Sequence, residues 1–269
     1  MNEFATSVLG STGLSVCRLG LSASYRPGRE TIYRAAELGI NFFFSFGFDT
    51  QMRSVLPELF GRGREKYVLA TGAYNFIWGH GDIRRTLERR LRKFRTDYID
   101  VFLFLGVMKE RELPARVLDD LVRIRDEGRV RAIGISTHDR ALAGRLAALG
   151  TLDVLMVRYN AAHRGAEQEI FPHLARHNPG IVAYTATRWT YLLRRPKASP
   201  ADAPVPTAPM TYRFCLSNPH VHVCLTAPRS KQELEENVAA LDRGPLDKEE
   251  MRFMREFGDR VRHTKKWFM

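Results

Sequence analysis

The stretch "VRAIGISTHDRALAGRLAALGTLDVLMVRY", Val130 to Tyr159, decides the fold. Two apolar runs rich in β-branched residues, "VRAIGIS" and "DVLMVRY", flank the helical "DRALAGRLAALG", which ends at Gly150. Neither run alternates cleanly between apolar and polar residues. That pattern indicates strands buried on both faces, as in a parallel sheet covered by helices. The same strand–helix unit recurs outward in both directions. "SVCRLGL" precedes "RETIYRAAELG", "INFFFS" precedes "MRSVLPELF", "YVLATG" precedes "GDIRRTLERRLRKF", and "IDVFLFL" precedes "LPARVLDDLVRIRDEG". Beyond Tyr159 come the helical "EQEIFPHLARH", then the strands "GIVAYTA" and "VHVCLT", the last followed by "SKQELEENVAAL".

Eight such runs in 269 residues predict an α/β fold, a single (β/α)8 TIM barrel forming one domain over residues 1–269. A barrel of this kind needs roughly 250 residues. No G-x-G-x-x-G follows the first strand, which disfavours an open dinucleotide-binding sheet. Gly39, Gly128 and Gly150 stand where left-handed residues end helices, and Asp82 and Ser230 stand where N-caps begin them. "VLGSTGLSVCRLG" predicts an N-terminal β-hairpin turning at Ser11–Gly13 and plugging the barrel bottom. "DKEEMRFMREFG" predicts an extra C-terminal helix, and Arg194 to Pro209 a long mobile loop.

Composition is that of a globular chain, 44% hydrophobic and 27% charged, with no run near the roughly 20 apolar residues of a membrane span. The N-terminus lacks a signal-peptide pattern, and Cys17, Cys215 and Cys224 match no metal or disulfide spacing. A cytoplasmic setting is expected, without a metal. Net charge is +12, from 42 basic and 30 acidic residues. In "RRTLERRLRKFR" the arginines alternate with Leu87, Leu91 and Phe94 at helical spacing, so they form a solvated helix face. No nucleic-acid partner is expected; a small molecule, anionic in one reading, suits the basic surface better.

"LGSTGLSVCRLGL", "AAELGINFF", "TLERRLRKFRTDYIDVFL", "LVRIRDEGRVRAIGIS", "IVAYTA" and "RSKQELEEN", in this order, resemble the aldo-keto reductase superfamily over nearly the whole chain. The resemblance implies a (β/α)8 barrel with NADP(H) lying across the C-terminal face, moving hydride to or from a carbonyl. It implies a catalytic aspartate, tyrosine, lysine and histidine at positions held here by Phe44, Asp49, Gly72 and Leu105. On this reading all four are replaced, and the phenylalanines of "FFFSFGF" extend the apolar core where buried charges would stand. The resemblance also assigns Ser136, Thr137, Tyr184 and Thr185 to the nicotinamide and pyrophosphate end of the cofactor. Arg229, Ser230, Glu236 and Asn237 are assigned to its adenosine end, while Met156 replaces a glutamine.

The C-terminal ends of the strands carry other chemistry. Arg158, Tyr159, Asn160, His163, Arg164 and Glu167 follow the sixth barrel strand. His138 follows the fifth with the parity of Ser136, Arg188 and Trp189 follow the seventh, and Tyr74 and Asp49 lie beyond the third and second. Arg158 is the candidate anchor for an anion, and His138 and His163 the candidate proton movers. Three functions are compatible with these residues. The first is an NADP(H)-linked oxidoreductase on a small carbonyl or alcohol with a rebuilt site. The second is a non-redox lyase or isomerase on an anionic small molecule, and the third an inactive NADP(H)-binding pseudoenzyme.

Overall fold

At Arg18 the first expected strand changes partners. Before it, β1 (Thr6–Val8) pairs antiparallel with β2 (Ser15–Cys17); after it, β3 (Leu19–Ser22) enters the barrel. "SVCRLGL" is therefore two strands in two sheets. The Arg18 guanidinium donates to the Leu216 and Val221 carbonyls (2.6 and 2.9 Å), while its own carbonyl accepts from Cys224 N–H (2.7 Å). These bonds pin the switch point. The computed structural model describes residues 2–46, 49–74, 82–196, 200 and 202–264. Phe48, in the expected aromatic extension, Lys197–Ser199 and Ala201, in the expected loop, and Lys265–Trp267 lie outside them.

The barrel strands continue as β4 (Phe42–Phe44), β5 (Val68–Tyr74), β6 (Ile99–Val107), β7 (Val130–Thr137), β8 (Val154–Arg158), β9 (Gly180–Tyr184) and β10 (Val223–Thr226). Together with β3 they close in the order β10-β3-β4-β5-β6-β7-β8-β9, with all neighbours parallel. Around them lie α1 (Arg29–Glu37), α2 (Gln51–Phe60), α3 (Ile83–Phe94), α4 (Ala115–Asp126), α5 (Arg140–Leu149), α6 (Ala166–Glu169), α7 (Ala208–Leu216), α8 (Lys231–Asp242) and α9 (Lys248–Thr264). The expected closures hold. Asp82 and Ser230 accept from the N–H groups of Arg85 and Glu233 (2.8 and 3.2 Å), and Gly39, Gly128 and Gly150 have φ of 88°, 74° and 71°.

Two cores result. Outward-facing strand residues pack with the helices, whereas Phe42, Phe44, Leu103, Leu105, Met156 and Val182 fill the barrel with other inward side chains. Leu9, Leu14 and Val16 of the hairpin join this inner core, so the hairpin plugs the barrel as expected. Gly72 and Gly134 let neighbouring strands come close: a Cβ on Gly72 would stand against Leu103 O, and one on Gly134 against Val154 O.

Two expectations are corrected. The helix after β8 is shortened to α6 and a 3-10 turn at Phe171–His173, because Pro172 has no N–H to continue the ladder. The segment before β10 contains α7, whose residues Thr211–Leu216 are all buried. Arg213 on α7 grips Glu250 of α9 with two bonds (2.6 and 2.7 Å). No helix among the described residues is long and apolar enough to cross a membrane.

Candidate functional site

The parity of the strands decides what reaches the C-terminal mouth. Ser22 and Ser24 beside β3, Phe44 and Phe46 beside β4, His138 beyond β7, Met156 on β8 and Tyr184 on β9 all line a cavity of about 440 Å³. Phe44 stacks on Phe46 with centroids 6.3 Å apart, and His138 meets Tyr184 edge-on at 5.6 Å. Tyr25, Met108 and Trp189 form an exposed rim. Among the described residues the lining contains no Asp, Glu, Lys or Arg. Its surface is mostly apolar, with polar groups from Ser22, Ser24, His138, Tyr184 and Thr185 among its lining.

The positions assigned to acid–base groups by resemblance contain nothing that can replace them. Phe44 and Leu105 are buried members of the inner core. Gly72 leaves no room for any side chain, because the β6 backbone occupies the place of its Cβ. Asp49 does not face the mouth. Its carboxylate accepts from Gln51 and Met52 N–H (2.9 and 3.1 Å) and from the Ser45 hydroxyl (3.1 Å), capping α2. Burial raises its pKa, against the lowering effect of those bonds and of Arg53.

His138 and His163 are both held below the usual histidine range. Burial first, then Arg158, lowers the His138 pKa to about 4. Burial lowers that of His163 to about 3, helped by Arg158, Arg188, Arg262 and Arg140. The Nδ1 atom of His138 is buried and meets no hydrogen-bond partner among the described residues. Arg158, half-buried at the end of β8, sits in register with Tyr184 and next to His138. His163 lies in the turn after β8, where its N–H donates to Asn160 O (2.9 Å), and it does not line the cavity.

The residues assigned to a cofactor fall in two groups. Ser136 lies beside the buried Tyr184 hydroxyl, although no bond between them meets ordinary distance and angle limits. Burial raises the Tyr184 pKa; Arg158 and Ser136 oppose it. Thr137 is turned away, its Oγ1 accepting from Asp139 N–H (3.0 Å), whereas Thr185, at φ 60°, lines the cavity. In the second group Arg229 is exposed before α8, with its guanidinium over the Tyr25 ring at 5.2 Å. Ser230 caps α8, Glu236 is exposed and accepts from Gln232 (3.0 Å), and buried Asn237 donates to Thr226 Oγ1 (3.1 Å).

Several polar residues after β8 form scaffold. Tyr159 is buried between Phe171 and Phe214 and donates to Glu167 (2.7 Å), which also accepts from Arg255 (2.8 Å). Asn160 donates to Thr185 O (2.9 Å), and Arg164 pairs with Asp259 (2.8 Å). Arg188 is buried and donates to Val261 O (2.8 Å). Sequence reading missed Tyr25, Met108 and Tyr212 as lining residues. The first two lie just beyond strands, where parity could have found them; Tyr212 arrives on the unforeseen α7. No cluster of three or more His, Cys, Asp or Glu suited to a metal occurs among the described residues.

Known proteins share this frame. L-galactose dehydrogenase of Arabidopsis thaliana is 24% identical over 300 residues, covering 90% of this chain and 89% of its own. The oxidoreductase YqkF of Bacillus subtilis is 21% identical over 301 residues, covering 96% and 95%. The holo form of an aldo-keto reductase from Bacillus halodurans superposes with a TM-score of 0.78 at 21% identity, covering 94% and 95%. The model of the aldo/keto reductase family matches residues 24–200, and with its closed parallel barrel this chain belongs to that family.

Proposed function

We propose that this chain, as one domain of residues 1–269, is an NADP(H)-linked oxidoreductase acting on a small apolar carbonyl or alcohol at a mouth without the family's acid–base groups. The observation that carries the reading is the apolar 440 Å³ cavity walled by His138 and Tyr184. The residues present fit the nucleotide. His138 and Tyr184, each with a buried polar atom that meets no hydrogen-bond partner among the described residues, line the cavity, and Arg229 stands exposed just before α8. Tyr184, Ser136 and Thr185 would hold the nicotinamide end, and Arg229, Ser230, Glu236 and Asn237 the adenosine phosphate and base. When bound, the nucleotide supplies or accepts hydride.

His138 is the group this reading places at the reacting oxygen. With a pKa of about 4 it is neutral near pH 7, so it has no imidazolium proton to donate there. A neutral imidazole still has one N–H, which can polarise a carbonyl in a dry site. Phe44 and Phe46 give the site an apolar wall. Losing a true general acid forfeits roughly 10²–10⁴-fold in rate, so slow turnover is expected. Histidines with pKa lowered to about 4 and 3 are weak bases, which also weakens the lyase or isomerase reading, since it needs a group that takes up a proton near pH 7. Binding without turnover is the second reading, favoured by the apolar or absent side chains at Phe44, Gly72 and Leu105.

Titration with NADPH and NADH tests the reading. A charge-assisted hydrogen bond contributes about 1.5–3 kcal/mol, so Arg229→Ala should weaken NADPH about tenfold or more and NADH much less. Equal losses for both nucleotides, or no binding by wild type, would remove its main support.

A further inference from the structure

Five large hydrophobic side chains are exposed among the described residues: Val8, Tyr25, Met108, Leu149 and Trp189. Three of them, Tyr25, Met108 and Trp189, line one cavity, whereas Val8 on β1 and Leu149 at the end of α5 do not. Exposed apolar residues scattered singly are ordinary. Three gathered around one concavity mark a place where a ligand is bound. The barrel sets their positions. In the order β10-β3-β4-β5-β6-β7-β8-β9, the strands β3 and β9 are the two neighbours of β10, and β6 stands diametrically opposite it. Tyr25 follows β3 and Trp189 follows β9, so both flank the end of β10. Met108 follows β6 and stands across the mouth from them.

The loop that carries Trp189 is held in a costly shape. Arg188, Trp189 and Thr190 have φ of 50°, 52° and 69° in succession, and Thr185 has 60°. Residues with a Cβ visit such angles singly, and three in a row are rare. Hydrogen bonds impose the shape. Arg188 N–H donates to Thr185 O (2.8 Å), Leu192 N–H to Thr187 O (3.1 Å), and the Arg188 guanidinium to Val261 O (2.8 Å). Strain of this kind persists where the surroundings over-determine it, and it clusters at ligand sites. Its result here is an indole held at the cavity edge, 48% exposed. Tyr25 is steadied as well, by the Arg229 guanidinium 5.2 Å from its ring centroid.

We propose that Tyr25 and Trp189 on one side and Met108 on the other form a clamp that selects a substrate with a flat aromatic body, laid across the mouth with its reacting group towards His138. Aromatic rings attract one another in offset or edge-on arrangements, and a methionine sulfur favours a ring edge. A puckered saturated ring offers no π face to the first and no aromatic edge to the second. A clamp fixed before the ligand arrives also loses little freedom on binding. The clamp rests on the reading of the mouth as the substrate site, but its test needs neither nucleotide nor turnover.

2-Naphthalenemethanol and its saturated counterpart, decahydro-2-naphthalenemethanol, form the test pair. Both are neutral alcohols on one carbon skeleton, differing in flatness and π electrons. With no nucleotide added neither is oxidised, so calorimetric titration of the full chain reads binding alone. The proposal expects the aromatic alcohol to bind about tenfold more tightly, the gain expected from two aromatic pairs. Trp189→Leu and Tyr25→Leu should each cut that preference about threefold or more, and Met108→Ala about twofold. Circular dichroism and melting temperatures like those of wild type show that the variants remain folded, as exposed positions allow. Leu149→Ala, an exposed apolar side chain outside the lining, should keep the preference. Equal binding of the two alcohols by wild type, or a preference unchanged in any of the three mouth variants, would overturn the proposal. So would a loss in Leu149→Ala equal to that in Trp189→Leu, which would mark non-specific adsorption. NADPH titration of the same samples reads the proposed function separately.

Discussion

Placing any side chain at Gly72 should open the barrel, and the cost can be worked from the backbone. A methyl carbon there would lie 2.8 Å from Leu103 C and 3.1 Å from Leu103 N, and closer still to Leu103 O. Carbon atoms rest about 3.5–4.0 Å apart, so β5 and β6 would have to separate by roughly 0.7–1.2 Å. A ladder bond near 2.9 Å stretched by that amount exceeds the usual limit of about 3.2 Å. Two buried backbone groups left without partners cost about 2–6 kcal/mol. The gain from a stiffer unfolded chain is only about 0.4–1 kcal/mol. Against a typical stability of about 5–15 kcal/mol, the loss is large. Urea denaturation followed by circular dichroism would measure Gly72→Ala beside Gly61→Ala. Gly61 has φ of −62° and nothing closer than 3.5 Å to an added Cβ, so its variant should be neutral or slightly more stable. If Gly72→Ala stays within about 0.5 kcal/mol of wild type, the close approach of β5 and β6 is not as described. The consequence for function is direct: a lysine cannot simply be restored at this position.

Phe44→Asp should not create ordinary carbonyl reductase activity. It removes a ring stacked on Phe46, at about 3–5 kcal/mol for a truncation of this kind, and adds a carboxylate with no lysine to pair with. Aldehyde turnover restored in that single variant would reveal an acid that the mouth does not display. The acid side of the stability profile should follow the buried histidines. Folded pKa values of about 4, 3 and 4 for His138, His163 and His222 lie below the unfolded value of about 6.5. The unfolded chain therefore binds more protons in this window, and stability is lost as pH falls from about 6.5 towards 4. His222 Nδ1 accepts from Ile181 N–H (3.0 Å) and needs its neutral form, so His222→Gln should flatten the melting-temperature profile there. Identical profiles for variant and wild type would contradict this assignment.

The barrel was legible because its signals are local. Apolar runs, Asp82 and Ser230 as caps, and glycines after helices act within a few residues of themselves. What escaped depends on partners far away in sequence. Tyr159, Arg164 and Glu167 look like strand-end chemistry until Arg255 and Asp259, on α9, claim the charges. α7 has no clear amphipathic stripe because it is buried between α8, α9 and β10. The break at Arg18 depends on carbonyls some 200 residues downstream, at Leu216 and Val221. His138 and Tyr184, read as strand-end residues, both line the mouth, and Arg158 lies in register with Tyr184. Parity could not show that burial and the arginines leave the histidines neutral, which alters the chemistry expected of them.

Hydride transfer observed in a single turnover tests the central claim most directly. Wild-type protein loaded with NADPH would be mixed with excess benzaldehyde, and the loss of reduced-nicotinamide absorbance followed in stopped flow, beside His138→Phe. The account predicts slow oxidation by wild type. It also predicts a rate about 10²-fold lower in the variant, as for removal of one oxyanion donor, with NADPH affinity retained. Between pH 5.5 and 8 the wild-type rate should show no histidine inflection, since His138 titrates near 4. Bound NADPH that is never oxidised by wild type, or an unchanged rate in His138→Phe, would contradict it.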